Sequence, residues 1–180
     1  MTATEIIKKY YHEGSEVFEI LISHSMAVAH KAVSILQSHP EMAVNQEFIY
    51  EAAILHDIGV FLTDAPKIYC FGKHPYICHG YLGADLLRCE GLGRHALICE
   101  RHTGTGLSLQ NIVENNLPLP HRSMLPESLE EKLICYADKF YSKTKPDTKK
   151  TPEQIRKSLE KYGEDSVKRW DELCHLFACE

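Results

Sequence analysis

An all-α fold is what this sequence predicts, and three observations carry it. Apolar residues recur three and four apart through successive segments. No stretch alternates apolar and polar residues as a half-buried strand would, and no internal repeat is visible. Gly14, Pro40, Gly59 and the pair Gly91 and Gly93 punctuate the periodic segments. At 180 residues the chain suffices for a single domain, 1–180, with its core over 20–142 and a helical extension over 151–178.

Residues 2–11 read as a short leading helix, capped by Thr2 or Thr4, with Ile6, Ile7 and Tyr10 as its apolar stripe. Ser15 can cap a longer helix carrying Val17, Leu21, His24, Val28, Ala32, Ile35 and Leu36, which puts His24 on the buried stripe. Pro40 ends it. Residues 46–58 form the next helix, with Phe48, Ala52, Leu55 and Ile58 on one face. Gly59 is placed as its terminator, so His56 and Asp57 fall on the final turn. Residues 60–76 hold Pro66, Gly72 and Pro75 without a sustained period, and read as an irregular connection or lid. His79 opens another helical run with Leu82, Leu86 and Leu87. His95, Ile98, Cys99 and His102 are helically spaced in residues 94–102, which stop at Thr103-Gly104-Thr105-Gly106. Those four residues are a helix stop or a weak phosphate cradle. Residues 107–126, with Pro118, Pro120 and Pro126, form a second long connection.

Residues 127–143 return to helix, with Leu129, Leu133, Tyr136, Ala137 and Phe140 facing inward and Asp138 beside that face. Thr151 caps a last helix that has Pro152 at its first position and runs to about residue 177. Its apolar positions are Ile155, Leu159, Tyr162, Val167, Trp170, Leu173 and Leu176. The segment 139–157 is locally basic, which makes it a solvated face or a phosphate-binding rim.

Composition narrows the function classes. A net charge of −5 supplies no global basic field, so a duplex nucleic acid is not an expected partner. The longest apolar stretch is interrupted by His56 and Asp57 and is too short to span a bilayer. The opening MTATEIIKKYYHEG lacks the positive-then-apolar order of a signal peptide. Seven cysteines, none in a CxxC pair, suggest a reducing cytoplasm. Eleven histidines are an excess for this length and are the compositional clue.

The chemistry is concentrated in Leu55-His56-Asp57-Ile58-Gly59. An imidazole and a carboxylate in so apolar a setting need each other, a hydrogen-bonding shell or a metal to offset lost hydration. His24, His79, His102 and Asp138 occupy similarly apolar contexts on other helices or helix ends. Facing helices build metal sites in this way, by projecting ligands inward. The order H…HD…H…H…D resembles the HD-domain superfamily of metal-dependent phosphohydrolases, in the subset with two metals. The most specific elements are His56-Asp57-Ile58-Gly59 and Tyr136-Ala137-Asp138-Lys139, and the likeness covers roughly residues 20–142.

The resemblance implies an HD-type helical bundle in which His24, His56, Asp57 and Asp138 hold a first metal. Asp57 would bridge to a second, bound also by His79 and His102, with His74 and His95 as nearby alternates. Mixed imidazole and carboxylate ligation suits Fe, Mn, Zn or Ni, and carboxylates also tolerate Mg. Two such ions about 3.5–4 Å apart can generate a nucleophile from water and clamp phosphate oxygens. A cationic helper is expected among Arg101, Lys73, Arg122, Lys139 and Lys143; Arg101 and Lys139 join Asp57 as the catalytic set. The expected substrate is a small phosphate ester, plausibly a nucleotide, and an oligomer is possible.

Two relatives of this superfamily mark alternatives. Residues 102–108 resemble the corresponding region of cyclic-dinucleotide phosphodiesterases of the HD-GYP type, but lack their Gly-Tyr-Pro signature. The spacing of His56, His79 and His102 is similar to that of di-iron oxygenases acting on phosphonates or polyols. Those carry a substrate-binding lysine where this chain has Gly106-Leu107-Ser108. A non-catalytic metal- or ligand-binding regulatory module is the remaining alternative.

Overall fold

Capping and apolar spacing place most of the helices where periodicity puts them. The structure, a computed structural model, describes residues 1–146 and 148–177. Cys179 and the last residue of the expected extension, 178, lie outside the described residues. Helix α1 (Ala3–Ile7) starts with a reciprocal capping box between Thr2 and Glu5. Helix α2 (Glu16–Ser38) buries Leu21, His24, Val28, Ala32 and Ile35 along one stripe. Ser15 occupies its N-cap position without capping, because its hydroxyl donates to the His12 carbonyl instead, at 2.7 Å. Helix α3 (Gln46–Leu55) is capped by Asn45, whose Oδ1 accepts from Phe48 N at 3.0 Å. It ends one residue before His56, and a turn then leads into a single 3-10 turn at Val60–Leu62.

The lid region 60–76 contains a small sheet that the sequence pattern does not show. Strands β1 (Thr63–Ala65), β2 (Cys70–Phe71) and β3 (His74–Pro75) assemble in the order β2-β1-β3. β1 pairs antiparallel with β2 (Asp64 opposite Phe71) and parallel with β3 (Thr63 opposite His74). Strands of two and three residues are too short to display an alternating period. The architecture remains helical, and this sheet is a local cover.

Helices α4 (His79–Cys89) and α5 (Gly93–Arg101) pack together, and α2 packs on α3 and on α7 (Leu129–Asp138). The second long connection holds one short helix, α6 (Leu109–Glu114), capped by Ser108. The expected last helix is two. Helix α8 (Pro152–Leu159) starts with a Thr151–Gln154 capping box, and α9 is Glu164–Phe177. Gly163, at φ +94, turns the chain between them. The apolar spacing runs through this break, but Tyr162 is exposed.

One apolar cluster joins α1 to α9, including Ile7, Leu21, Val28, Ile49, Leu133, Ile155 and Trp170. Within it, Tyr11 donates its phenol to the Ile58 carbonyl at 2.7 Å, which pins the turn after α3. Gly59 meets α4 at the same turn. A Cβ there would lie 2.3 Å from the His79 carbonyl oxygen and 2.4 Å from Gly83 N. Its φ of −83 is open to any residue, so proximity and not backbone freedom demands glycine here. Gly59→Ala is expected to destabilise the fold by about 3 kcal/mol through overpacking against backbone. The check is a lowered urea midpoint at unchanged slope. An unchanged midpoint would show that the two segments do not approach so closely.

Candidate metal centre

Five segments meet at the base of α3. His24 comes from the middle of α2, and His56 and Asp57 from the turn after α3. His79 is the first residue of α4, His102 follows α5, and Asp138 closes α7. All six are buried, Asp57 and His56 completely.

Three of the histidines are oriented by the same backbone device. His56 Nδ1–H donates to the Ala53 carbonyl at 2.7 Å, His79 to Tyr76 at 2.6 Å and His102 to Cys99 at 2.7 Å. Each acceptor lies three residues upstream, at the end of a helix or a 3-10 turn. The donated proton settles the tautomer and turns the Nε2 lone pair inward.

The inward atoms form two groups that share Asp57. Oδ2 lies 2.9 Å from His56 Nε2 and 3.2 Å from His24 Nε2, and His24 Nε2 lies 2.9 Å from Asp138 Oδ1. Oδ1 lies 3.3 Å from His79 Nε2 and 3.4 Å from His102 Nε2. In each group one ligand atom per residue falls within 4.8 Å of all the others. The structure thus brings together all six residues of the expected ligand set.

These atoms fit a cation better than they fit one another. Among the described residues no hydrogen bond of regular geometry reaches His56 Nε2 or either Asp57 oxygen, and Oδ2 has only charge contacts, with the imidazoles and Lys143. A buried polar group left in this state costs about 1–3 kcal/mol, and a charged one more. His79 Nε2 and His102 Nε2 stand 3.1 Å apart with both ring protons already donated elsewhere. Two lone pairs converge there, and a divalent cation satisfies them together with the Asp57 oxygens.

The electrostatics agree. Burial opposes charge on Asp57, but His56 and Lys143 outweigh it and hold the carboxyl well below the usual range. Asp138 is likewise held well below, against burial, chiefly by Lys139. Burial would also discharge His56, yet Asp57 and Asp138 raise it to about 9. Burial pushes His79 down to about 3 and lowers His102 as well. In the cation-free chain at pH 7, His79 is therefore neutral and His56 carries a proton.

The two histidines have opposite consequences for stability. The contribution of His56 is complete below its unfolded value of 6.5 and fades as pH rises through about 9. That of His79 is complete above 6.5 and fades as pH falls toward about 3. Cation uptake must expel the His56 proton. Calorimetry in buffers of different protonation enthalpy is expected to show about one proton released per chain at pH 7. The cation affinity is expected to rise about tenfold per pH unit in that range. A pH-independent affinity would contradict the placement of His56 among the ligands.

Beside the centre opens a cavity of about 570 Å³, lined by His24, Asp138, Tyr76, Tyr141, Ile68, Pro66 and four lysines: Lys67, Lys139, Lys143 and Lys150. Lys139 Nζ lies 2.7 Å from Asp138 Oδ2. Lys143 forms an ion pair with Asp57 Oδ2. The segment that carries them is closed by Lys150 N donating to the Phe140 carbonyl at 2.9 Å.

Other expected residues lie elsewhere. Arg101 sits on Glu131 at 2.9 Å and on Glu127 at 3.2 Å and does not line the cavity. Arg122 pairs with Glu100 at 2.5 Å. His74 is exposed in β3, and His95 packs at a tilt against the Phe48 ring near Glu51. Tyr76 and Lys67 are not among the sequence candidates, and Lys150 enters only as part of the basic segment 139–157. Tyr76 both orients His79 through its carbonyl and stacks on that ring at 4.6 Å. No side-chain pattern announces a backbone acceptor; its one signal is position three residues before a histidine.

The HD domain family profile matches residues 21–142, which spans all six clustered residues. This chain belongs to the HD domain family. Membership together with the buried His/Asp cluster implies metal-dependent hydrolase chemistry. The HD chain is 33% identical over 130 residues to an uncharacterised protein of Methanocaldococcus jannaschii, covering 71% of this chain and 69% of that one. It is 30% identical over 161 residues to a tRNA (cytidine(56)-2'-O)-methyltransferase of Thermoplasma volcanium, covering 88% of this chain and 42% of the relative. A Picrophilus torridus protein of the same name is 29% identical over 125 residues, covering 69% and 32%. The chain therefore spans less than half the length of either methyltransferase it matches. No solved structure matches it significantly. Among the described residues no helix is long and apolar enough to cross a membrane.

Proposed function

We propose that this HD domain is a metal-dependent phosphohydrolase acting on a small phosphate ester, a nucleotide in particular. The observation that carries the reading is the Asp57 carboxylate, which faces one ligand group with each oxygen beside a lysine-lined cavity. His24, His56, Asp57 and Asp138 would hold one divalent cation and Asp57, His79 and His102 another, and such ions would supply an acidified water and offset phosphoryl charge.

The chain's own residues supply positioning. The three donated Nδ1 protons keep the imidazoles from rotating. Lys139 and Lys143 place two ammonium groups at the cavity end of the ligand set, where phosphate oxygens gather charge as the ester bond breaks. Ile68, Pro66 and the rings of Tyr76 and Tyr141 offer an apolar wall to the organic part of the ester. Phosphoryl transfer is mostly positioning and electrostatics, and this site needs no serine or cysteine nucleophile.

A nucleotide accords with the two longer relatives, both named as methyltransferases of a tRNA cytidine. The net charge of −5 supports a small substrate over a duplex. The test is the manganese- or iron-loaded protein with a panel of nucleotides and phosphomonoesters, against Asp57→Ala. Phosphate release above that control is the expected result. Oxygen consumption on a phosphonate or polyol, without phosphate release from any ester, would move the assignment to the oxygenase branch.

A further inference from the structure

Lys143 is the one cavity lysine placed on an oxygen that both the ligand set and the substrate side can claim. Its side chain is 10% exposed, and its ammonium pairs with Asp57 Oδ2. That same oxygen faces His24 Nε2 and His56 Nε2, the nitrogens of the first ligand group. Lys139 differs, because its partner is Asp138 Oδ2, whereas the Asp138 oxygen turned to the ligand group is Oδ1. Lys139 can therefore keep its ion pair when a cation is present, and Lys143 cannot. A doubly charged ion and an ammonium on one carboxylate oxygen repel each other strongly in a buried setting.

The residue has somewhere else to go. It stands beyond the end of α7, its stem is long and unbranched, and its side chain lines the cavity. The Tyr76 ring centroid lies 5.9 Å from its ammonium and offers a weak cation-binding face on the way. Nearby Lys67, Lys139 and Lys150 add positive charge, so an ammonium displaced into the cavity is stable only opposite an anion. Among the described lining residues Asp64 is the remaining carboxylate, and it is exposed.

We propose that Lys143 is a movable counter-charge coupling the two ligands of the site. It neutralises Asp57 in the cation-free chain, yields that oxygen to the cation, and then donates to the phosphate. Cation and phosphate therefore bind cooperatively, each strengthening the other by the same factor. The inference rests on the phosphate reading above, but its readout is binding and not turnover.

The test is calorimetric titration of manganese(II) into chelator-stripped protein, with and without inorganic phosphate, for wild type, Lys143→Met and Lys143→Arg. In wild type, phosphate is expected to tighten manganese binding about tenfold, within the usual range of coupling between sites. Lys143→Met is expected to bind manganese about tenfold more tightly than wild type without phosphate, because the competing charge is gone. Its phosphate effect is expected to fall well below that of wild type, to what direct contact between cation and phosphate supplies. Lys143→Arg retains the charge and is expected to retain the coupling, which separates loss of charge from loss of folding. Coupling as strong in Lys143→Met as in wild type overturns the proposal, as does manganese binding no tighter than wild type. Either result would do so even in a protein that hydrolyses nucleotides. Coupling weakened in Lys143→Met and kept in Lys143→Arg supports it, even if no ester is turned over.

Discussion

Asp57→Ala is expected to lower phosphate release by about 10³-fold or more, beyond the 10–100-fold typical of losing a supporting contact around a metal. The reason is that Asp57 is the sole residue common to both ligand groups. Its two oxygens face four imidazole nitrogens and one ammonium, and they carry the negative charge at the middle of the cluster. Without it, His56 loses the partner that most raises it, and Lys143 loses its ion pair. Removing one member of a buried ion pair costs about 3–5 kcal/mol, so the cation-free variant is also expected to unfold at lower urea. Asp57→Asn keeps the volume and removes the charge, and is expected to lose activity to the same degree. The measurements are metal content, phosphate release and urea midpoint for all three proteins. Activity of Asp57→Ala within tenfold of wild type would remove the centre from the reaction.

The second large effect separates the two ligand groups. His79→Ala and His102→Ala are each expected to reduce bound metal from two ions to one per chain and activity by about 10²-fold. The group His24, His56, Asp57 and Asp138 is left intact by either change. His24→Ala is expected to remove the other ion and leave the pair His79 and His102 with Asp57. Stability of the cation-free chain should hardly fall in His79→Ala, because the change separates two lone pairs 3.1 Å apart. Metal analysis of the three variants is the check. Loss of both ions from every variant would show one indivisible centre.

Much of this architecture was legible because apolar spacing and caps act locally. The buried stripe of α2 and the Thr151-Pro152 start of α8 follow from residue order alone. The clustered histidines stand out because a polar ring on an apolar face is costly without a partner. Arg101 misled for a rotational reason. It adjoins His102 in sequence, but successive residues at a helix end point in different directions, and its guanidinium finds Glu131 instead. Lys143 is the converse case, one of five unranked cationic candidates, which loop closure between Phe140 and Lys150 brings onto Asp57. The sheet at 63–75 and the break at Gly163 depend on long-range pairing and on one residue's dihedral angle, which periodicity does not register. Gly59 was anticipated as a helix stop, while its structural reason is contact with α4.

The lone tryptophan of the chain gives the site a built-in optical signal. Trp170, 1% exposed on α9, stacks on Tyr136 at 5.1 Å between ring centroids and 19° between planes, two residues before Asp138. An indole so shielded from water emits toward the blue, and through Tyr136 it rests on α7, the helix that Asp138 closes. Unfolding by urea would shift that emission to the red. Small adjustments of α7 on metal uptake would be visible as intensity changes, so folding and loading can be followed in the unlabelled protein.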